Sequence, residues 1–177
     1  MIRTARLTLR AWRDDDAAPF LALGQDPRVM EHFPALLLPN EAREAVARQQ
    51  ALHKAFGHCF WVMERLSDKA FLGFCGIQVG PGGTPLAGRA EIGWRLGRNH
   101  WGHGYAREAA EASLAWTWTN TPAEQVLAMT VTANARSRTL MERIGMAYVE
   151  GGDFDHPAVA PGHPLSRHVL YRIERPR

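Results

Sequence analysis

The stretch of the sequence best suited to chemistry is a glycine loop that lies directly before a predicted helix. Residues 90–106 read Ala-Glu-Ile-Gly-Trp-Arg-Leu-Gly-Arg-Asn-His-Trp-Gly-His-Gly-Tyr-Ala, which predicts a strand, a loop and a helix start. Gly102 and Gly104 lack a Cβ atom, so the backbone there can adopt a positive φ or approach a ligand closely. The helix start supplies unpaired N–H groups and about half a positive charge. The stretch is therefore suited to an anion such as a pyrophosphate.

Two common phosphate-binding motifs do not fit this loop. No Lys-Ser or Lys-Thr follows the glycines, as a P-loop requires, and the dinucleotide fingerprint G-x-G-x-x-G is absent. A plain turn with small residues for close packing is the alternative interpretation of Gly102 and Gly104. His100 and His103 could form a metal pair, but the sequence places no third ligand beside them, so we predict no metal.

Hydrophobic spacing predicts the elements that position the loop. The segment 7–11 alternates apolar and polar residues, which is typical of a half-buried strand. Helices are predicted after the acidic residues 14–16 and from Pro39-Asn40 to Gly57. Further strands are predicted at about 59–64, 70–79, 88–96, 125–131, 147–154 and 166–174, with helices at about 105–118 and 134–144. The strands first form a meander and later flank helices, which predicts a single α/β (α+β) domain over residues 1–177 with a mixed sheet.

Length and composition favour one ordinary globular domain. The chain has 177 residues, of which 46% are hydrophobic and 22% charged, and this disfavours collagenous, disordered and coiled-coil proteins. No apolar run approaches the roughly 18–20 residues that span a bilayer. Residues 1–4 lack the apolar stretch of a signal peptide. We therefore expect a cytoplasmic protein without a membrane partner, either a monomer or a homodimer.

Charge and cysteine content further limit the classes of protein to which the chain can belong. The net charge is +3, and the basic residues are scattered rather than clustered, which does not favour a nucleic-acid partner. A mildly basic surface could still suit an anionic cofactor. Cys59 and Cys75 cannot build a disulfide framework, and their apolar neighbours predict that both are buried. A redox pair is the alternative.

The glycine loop resembles the coenzyme-binding motif of the GNAT superfamily of N-acetyltransferases. The family pattern is Gln/Arg-x-x-Gly-x-Gly/Ala at the start of the helix after the fourth strand, and Asn99 at the first position is a departure from it. Four further segments, in matching order along the chain, resemble the ribosomal-protein N-terminal (RimJ/RimL-type) branch. They are residues 6–10 (RLTLR), 71–76 (FLGFCG), 90–94 (AEIGW) and 134–146, which contains Asn134-x-x-Ser137 and MERIGM.

The resemblance implies a GNAT-like, mostly antiparallel sheet of about seven strands flanked by about four helices. It also implies that the fourth and fifth strands splay apart, with acetyl-CoA as the donor and its pantetheine arm in the gap. Trp94, Arg95 and Leu96 would pair with the arm through their backbone, and Asn134 would bond it near the thiol. The residues expected around the pyrophosphate are Asn99, His100, Trp101, Gly102, His103, Gly104, Tyr105 and Ala106.

The implied reaction is direct attack of a primary amine on the thioester in a ternary complex. Glu91 is the candidate general base, acting through a water, and the alternative is a strand carboxylate that pairs with Arg89 or Arg95. Many family members carry a Tyr general acid seven residues after the Asn, where this sequence has Met141. Ser137 is the candidate that assists the leaving thiolate, and the alternative is a small helix residue facing the core.

The acceptor amine is less well defined by the sequence. The branch resemblance suggests a protein N-terminal α-amine, while amino acids, polyamines and antibiotics are acceptors of other members. The segments 33–40 and 154–166 are expected to shape the acceptor site, and His156, His163 and His168 could border it. A CoA-binding sensor or interaction module without turnover is the alternative from another functional class, motivated by the missing Tyr.

Overall fold

The computed structural model describes residues 1–177, in which nine strands form one sheet and four α-helices pack on it. The helices are α1 (Ala17–Gly24), α2 (Pro39–Phe56), α3 (Tyr105–Asn120) and α4 (Ala135–Arg143). The strands are β1 (Ile2–Arg3), β2 (Leu7–Arg10), β3 (Phe60–Arg65), β4 (Phe71–Val79), β5 (Ala90–Leu96), β6 (Gln125–Val131), β7 (Ala147–Tyr148), β8 (Phe154–Asp155) and β9 (Arg167–Glu174). No helix combines the length and apolar character that crossing a membrane requires.

The sheet is antiparallel everywhere except at one junction. Its strand order is β1-β2-β3-β4-β5-β6-β9-β7, and β8 also pairs with β9. The strands β4 and β5 share seven register pairs, whereas β5 and β6 run parallel and pair only at Glu91 and Leu127. Beyond that point β5 and β6 diverge. They are the fourth and fifth of the predicted strands, because the unpredicted β1 shifts the numbering by one, so the predicted splay lies between them.

The structure confirms the predicted mixed, mostly antiparallel sheet and the four helices. The strand predicted over 147–154 is wrong, because only the two-residue strands β7 and β8 form there. Gly151, with a φ of +70°, and Gly152 lie in the turn between them. The two-residue strand β1 was not predicted, and the acidic residues Asp14–Asp16 form a short 3-10 turn ahead of α1. The sheet therefore has nine strands instead of about seven.

Local capping explains where two of the helices begin and end. Gly57 has a φ of +76° and ends α2, a left-handed conformation that costs glycine little. Asn134 accepts a hydrogen bond from the backbone N–H of Ser137 at 3.2 Å and so starts α4. Gly145 (φ +85°) follows the end of α4. These boundaries matter for function because α3 and α4 flank the splay.

Side chains that alternate along β4 show that the helices cover both faces of the sheet. Cys75 points towards α3, where its Sγ lies 3.9 Å from Ser113 Oγ. Phe74, the residue before it, points to the opposite face and contacts Phe20 of α1. Cys59 and Cys75 are both free and fully buried, as predicted, and burial raises the pKa of each thiol to about 12. We call the two sides the α3 face and the α1 face.

The close approach of strands β3 and β4 leaves no room for a side chain at Gly76. A Cβ atom on Gly76 would lie 2.8 Å from Cε3 of Trp61 and would overlap the carbonyl oxygen of Cys59. We expect Gly76→Ala to lower the free energy of unfolding by about 2 kcal/mol through overpacking. Gly82→Ala is the matched control, since no atom lies within 4 Å of a Cβ there. Urea unfolding measures both, and equal stabilities would contradict this account of the packing.

Candidate functional site

A cleft of about 910 Å³ opens where β5 and β6 diverge. Its walls come from β5, the glycine loop, the first turns of α3 and α4, and the segment between α1 and α2. The predicted site residues that line it are Glu91, Trp94, Arg95, Leu96, His100, Trp101, Gly102, Gly104, Tyr105, Ala106, Asn134 and Ser137. Asn99 and His103 are exposed and do not line the cleft. The fold thus brings together residues that lie more than 40 positions apart in the sequence.

The splay leaves main-chain hydrogen-bonding groups facing the cleft. On the β4 side, Trp94, Arg95 and Leu96 have their register partners. On the β6 side, the register ends at Glu91, so the rest of β5 has no strand partner there. Backbone N–H and C=O groups need partners when they are removed from water. An extended ligand that carries amide groups can supply them in the manner of an added strand.

The glycine loop has the geometry of an anion site. Gly102 and Gly104 have φ values of +77° and +79°, and Gly104 is the N-cap of α3. A Cβ on Gly102 would meet no atom within 4 Å, so the loop is open on that side. The N–H groups of the first turn of α3, which begins at Tyr105, have no intrahelical partner. The residues present therefore fit a pyrophosphate.

Arg6, which the sequence analysis did not assign to the site, fixes the shape of this loop. Its Nη1 donates to the carbonyl oxygen of His103 at 2.9 Å, and its Nε lies 2.7 Å from Glu108 Oε2. Its guanidinium carbon lies 4.6 Å from the centroid of the Tyr105 ring. Thr4 also donates to Glu108. The start of the chain is thereby tied to α3, by contacts about 100 residues apart that no local pattern in the sequence indicates.

Three arginines line the cleft near the glycine loop and α4. The guanidinium carbon of Arg136, in the first turn of α4, lies 4.4 Å from the centroid of the Trp101 ring. Arg143, at the end of α4, also lines the cleft, as does Arg107, whose Nε is paired with Glu111 at 2.8 Å. The net sequence charge of only +3 concealed this clustering, since the arginines come from the start of α3 and from both ends of α4.

Glu91 is a buried carboxylate on the α1 face of the cleft. Its residue is 7% exposed, and its Oε2 accepts a hydrogen bond from Nε2 of Gln78 at 3.0 Å. It forms no ion pair with Arg89 or Arg95, so the structural alternative considered for it is wrong. Burial raises the pKa of Glu91 above its ordinary value of 4.5, and the hydrogen bond from Gln78 opposes that shift.

Two other predicted residues lie at the start of α4. The side chain of Asn134 caps the helix through Oδ1 and donates from Nδ2 to Thr130 Oγ1 at 3.0 Å. Its amide therefore has a structural role that the sequence analysis missed, and one Nδ2 proton is left over. Ser137 lines the cleft from the first turn. Met141, at the position of the family Tyr, is 2% exposed and belongs to the core.

Two of the three histidines named in the sequence analysis reach the cleft. His156 and His168 line it with their ring centroids 4.9 Å apart, whereas His163 does not. Nδ1 of His168 lies 3.0 Å from the carbonyl oxygen of Ser166, which can only accept, so Nδ1 carries the proton. In this tautomer Nε2 of His168 has a lone pair that no neighbour in the chain uses. Burial, and then the nearby His168, lower the pKa of His156.

Comparisons with known proteins agree with this geometry. The sequence model of the acetyltransferase (GNAT) domain matches residues 6–147. The protein YkkB of Bacillus subtilis is 36% identical over 146 residues, which are 82% of this chain and 84% of YkkB. A GNAT acetyltransferase of Bacillus anthracis has a similar fold, with a TM-score of 0.80, 22% identity and 98% of each chain covered. RimL, a ribosomal α-N-protein acetyltransferase solved with coenzyme A, gives a TM-score of 0.76 at 14% identity, covering 97% of this chain and 95% of RimL.

The raised pKa of Glu91 predicts a stability effect that is separate from catalysis. Because the folded pKa lies above the unfolded one, the charged carboxylate costs stability once the pH exceeds its ordinary pKa. We expect Glu91→Gln to unfold at a higher temperature than wild type at pH 7. The difference should shrink as the pH falls through the folded pKa and vanish below 4.5. The exposed control Glu124→Gln should change little, and a lower melting temperature for Glu91→Gln would contradict the burial argument.

Proposed function

The chain belongs to the GNAT acetyltransferase family and is an acetyl-CoA-dependent acetyltransferase, and we propose that its acceptor is an α-amine bound on the α1 face of the cleft. The observation that carries this proposal is the divergence of β5 and β6 at Glu91. It opens a passage between the α3 face, where the glycine loop lies, and the α1 face. A donor and an acceptor can thus approach the same point from opposite sides of the sheet.

The donor site is assigned to the residues on the α3 face. The N–H groups after Gly104 hold the pyrophosphate, with the positive charge of Arg136 nearby. The free edge of β5 from Trp94 to Leu96 pairs with the amides of the pantetheine arm. The leftover Nδ2 proton of Asn134 is available to the arm near its thiol. Acetyl-CoA supplies the activated acetyl group as a thioester.

The reaction is a single acyl transfer. The amine nitrogen forms a bond to the thioester carbonyl carbon, and the carbon–sulfur bond then breaks as the thiolate leaves. A backbone N–H near Trp94 stabilises the oxyanion, a contribution typically worth a few kcal/mol. The proton lost by the amine passes to a base, and the thiolate of CoA is the leaving group. Atoms and charge balance without a metal or a redox partner.

The cost of removing that proton favours an α-amine. An amine of pKa about 10.4, as in Lys, costs roughly 4.6 kcal/mol to deprotonate at pH 7, whereas an α-amine of pKa about 8 costs roughly 1.4 kcal/mol. We assign Glu91 the role of taking this proton through a water, and its burial in the cleft and its raised pKa support the assignment. Its hydrogen bond to Gln78 holds the carboxylate in position.

Loss of the family Tyr does not prevent the reaction. Met141 cannot donate a proton, but a thiol of pKa about 8.5 leaves readily as the thiolate near neutral pH. Ser137, in the first turn of α4, is the residue that can hydrogen-bond to the departing sulfur. We assign it that role.

We place the enzyme in the RimJ/RimL-type branch of the family. The motifs at 6–10, 71–76 and 90–94 support this placement, and RimL shares the fold. A protein N-terminus and a small molecule with an α-amine both fit the proposed chemistry. They differ in size, so peptides and free amines are tested side by side.

Binding of acetyl-CoA tests the donor site directly. At about 100 times its Kd, acetyl-CoA should add roughly 2.7 kcal/mol to the stability of wild type, seen as a higher melting temperature. Gly104→Asp should abolish that shift, because a carboxylate there repels the pyrophosphate. Gly151→Asp is the matched control, since Gly151 also has a positive φ but lies far from the glycine loop in the sequence, between β7 and β8. No shift for wild type at millimolar acetyl-CoA would overturn the proposal.

The pH dependence of kcat/KM tests the assignment of the base. We expect Glu91→Gln to reduce kcat/KM by about 10²–10⁴-fold and to remove its rise with pH on the acid side. His168→Gln should retain that rise, although His168 also lines the cleft. The opposite pattern would assign proton transfer to Nε2 of His168. Stability measured in parallel separates catalytic loss from unfolding.

A further inference from the structure

An arginine that has no ion-pair partner, Arg95, lies on the α1 face of the cleft. The guanidinium carbon of Arg95 lies 3.9 Å from the centroid of the Phe33 ring and 5.6 Å from that of Phe74. Its Nε atom is fully buried and has no hydrogen-bond partner. None of the eight ion pairs of the chain includes it. A half-buried guanidinium therefore packs against two aromatic rings and has no carboxylate partner.

The acidic residues around the site either accept hydrogen bonds from other groups or lie too far from Arg95 to pair with it. Glu91 lies on the same face of β5 but four residues earlier, about 13 Å away at the usual rise of a strand, and a glutamine donates to it. Glu41 accepts from the backbone N–H of Leu38 at 2.8 Å, at the start of α2. Glu44 lines the neighbouring cavity and forms no ion pair with Arg95. No side chain of the chain neutralises this guanidinium.

An unpaired charge in such surroundings favours binding of an anion. Burial lowers the pKa of Arg95 to about 10, which is the direction expected when a cation loses its water, and the group stays protonated at pH 7. Buried charges in proteins are normally paired, because desolvation without a partner is costly. The fork of guanidinium donors matches the two oxygens of a carboxylate.

Arg95 also lies where two cavities meet. The cleft of about 910 Å³ and a neighbouring cavity of about 580 Å³ share the residues Phe33, Pro34, Phe60, Phe74 and Arg95. The smaller cavity lies under the segment that joins α1 to α2 and is lined mostly by apolar side chains. Glu91 and Arg95 therefore mark two ends of one acceptor surface, with aromatic rings beside the arginine.

We propose that Arg95 binds a carboxylate carried by the amine acceptor, so that the substrates are amino acids, that is, amines that also carry a carboxylate. This inference rests on the proposed acetyl transfer and names the acceptor class. The amine lies towards Glu91 and the carboxylate towards Arg95. The apolar part of the acceptor packs on Phe60 and Phe74, which stack on each other with ring centroids 5.5 Å apart.

The test compares acceptors with and without the carboxylate, and kcat/KM is calculated for the unprotonated amine, because the amide also lowers the pKa of the amine. Phenylalanine and phenylalaninamide are assayed by CoA release, with glycine, β-alanine, 4-aminobutyrate and 6-aminohexanoate varying the distance between amine and acid. We expect wild type to favour the acid over the amide by at least about tenfold in kcat/KM. Arg95→Met should bring that ratio towards one, and Arg95→Lys should give an intermediate ratio. Arg43→Met, an exposed position on α2, is the control and should keep the wild-type ratio.

A binding measurement makes the test independent of turnover. Calorimetry should show that N-acetylphenylalanine binds wild type at least about tenfold more tightly than its amide, and that Arg95→Met loses this preference. C-terminally amidated peptides that begin with Asp or with Asn show whether a side-chain carboxylate on a peptide can replace that of a free amino acid. Melting temperatures verify folding, since Met in place of an unpaired buried charge should not destabilise the protein.

Each alternative outcome has a separate meaning. Equal use of acid and amide by wild type would overturn the inference and leave the proposed acetyl transfer standing. An intact acid-to-amide ratio in Arg95→Met, together with weaker acetyl-CoA binding, would overturn it by assigning Arg95 to the donor. Absence of CoA release with every amine would overturn the proposed function instead, and the calorimetric comparison would still decide whether Arg95 selects a carboxylate.

Discussion

The structure depends on backbone N–H and C=O groups of β5 that lie in the middle of the sheet and have no hydrogen-bond partner in a neighbouring strand. On one side β5 is paired along its whole length by β4, and on the other it meets β6 at Glu91 and Leu127 alone. An unpaired strand edge is normally protected or covered. Here it lies beside the starts of α3 and α4 and faces the cleft, where an extended ligand can pair with it. Those helix starts bring the glycine loop and Arg136 to the same place.

The period of a strand allows β5 to serve two substrates at once. Residues two apart point to the same face, so Glu91, Gly93 and Arg95 all belong to the α1 face. A Cβ on Gly93 would lie 2.7 Å from Cζ of Phe60, so the glycine leaves room for the aromatic ring between the two charged side chains. In the proposed reaction the edge of the strand holds the donor, while its side chains select and deprotonate the acceptor.

Local patterns in the sequence were sufficient to predict most helices and strands and the glycine loop. The helix from 135 to 143 and the positive φ at Gly102 and Gly104 follow from spacing and residue type over a few positions. The predicted strand over 147–154 failed because its pairing partner, β9, holds only its two ends. The contacts of Arg6 with α3 and of Arg95 with Phe33 were not predictable, since each joins distant segments that only the folded sheet brings together. The sequence thus predicted the glycine loop better than the side-chain contacts on the α1 face of the cleft.

The position of β9 in the sheet has a consequence for how the protein is made. This strand follows all the others in the chain, yet it lies between β6 and β7 and also pairs with β8. At 5–20 residues per second, the ribosome needs about 2–9 s to extend the chain from the end of β6 to the end of β9. On the side away from β5, β6 therefore has no strand partner until β9 has been made. A chain that stops before β9 leaves the apolar edge of β6 open to pairing with another chain, so the last strand to be made is also the one that closes the sheet.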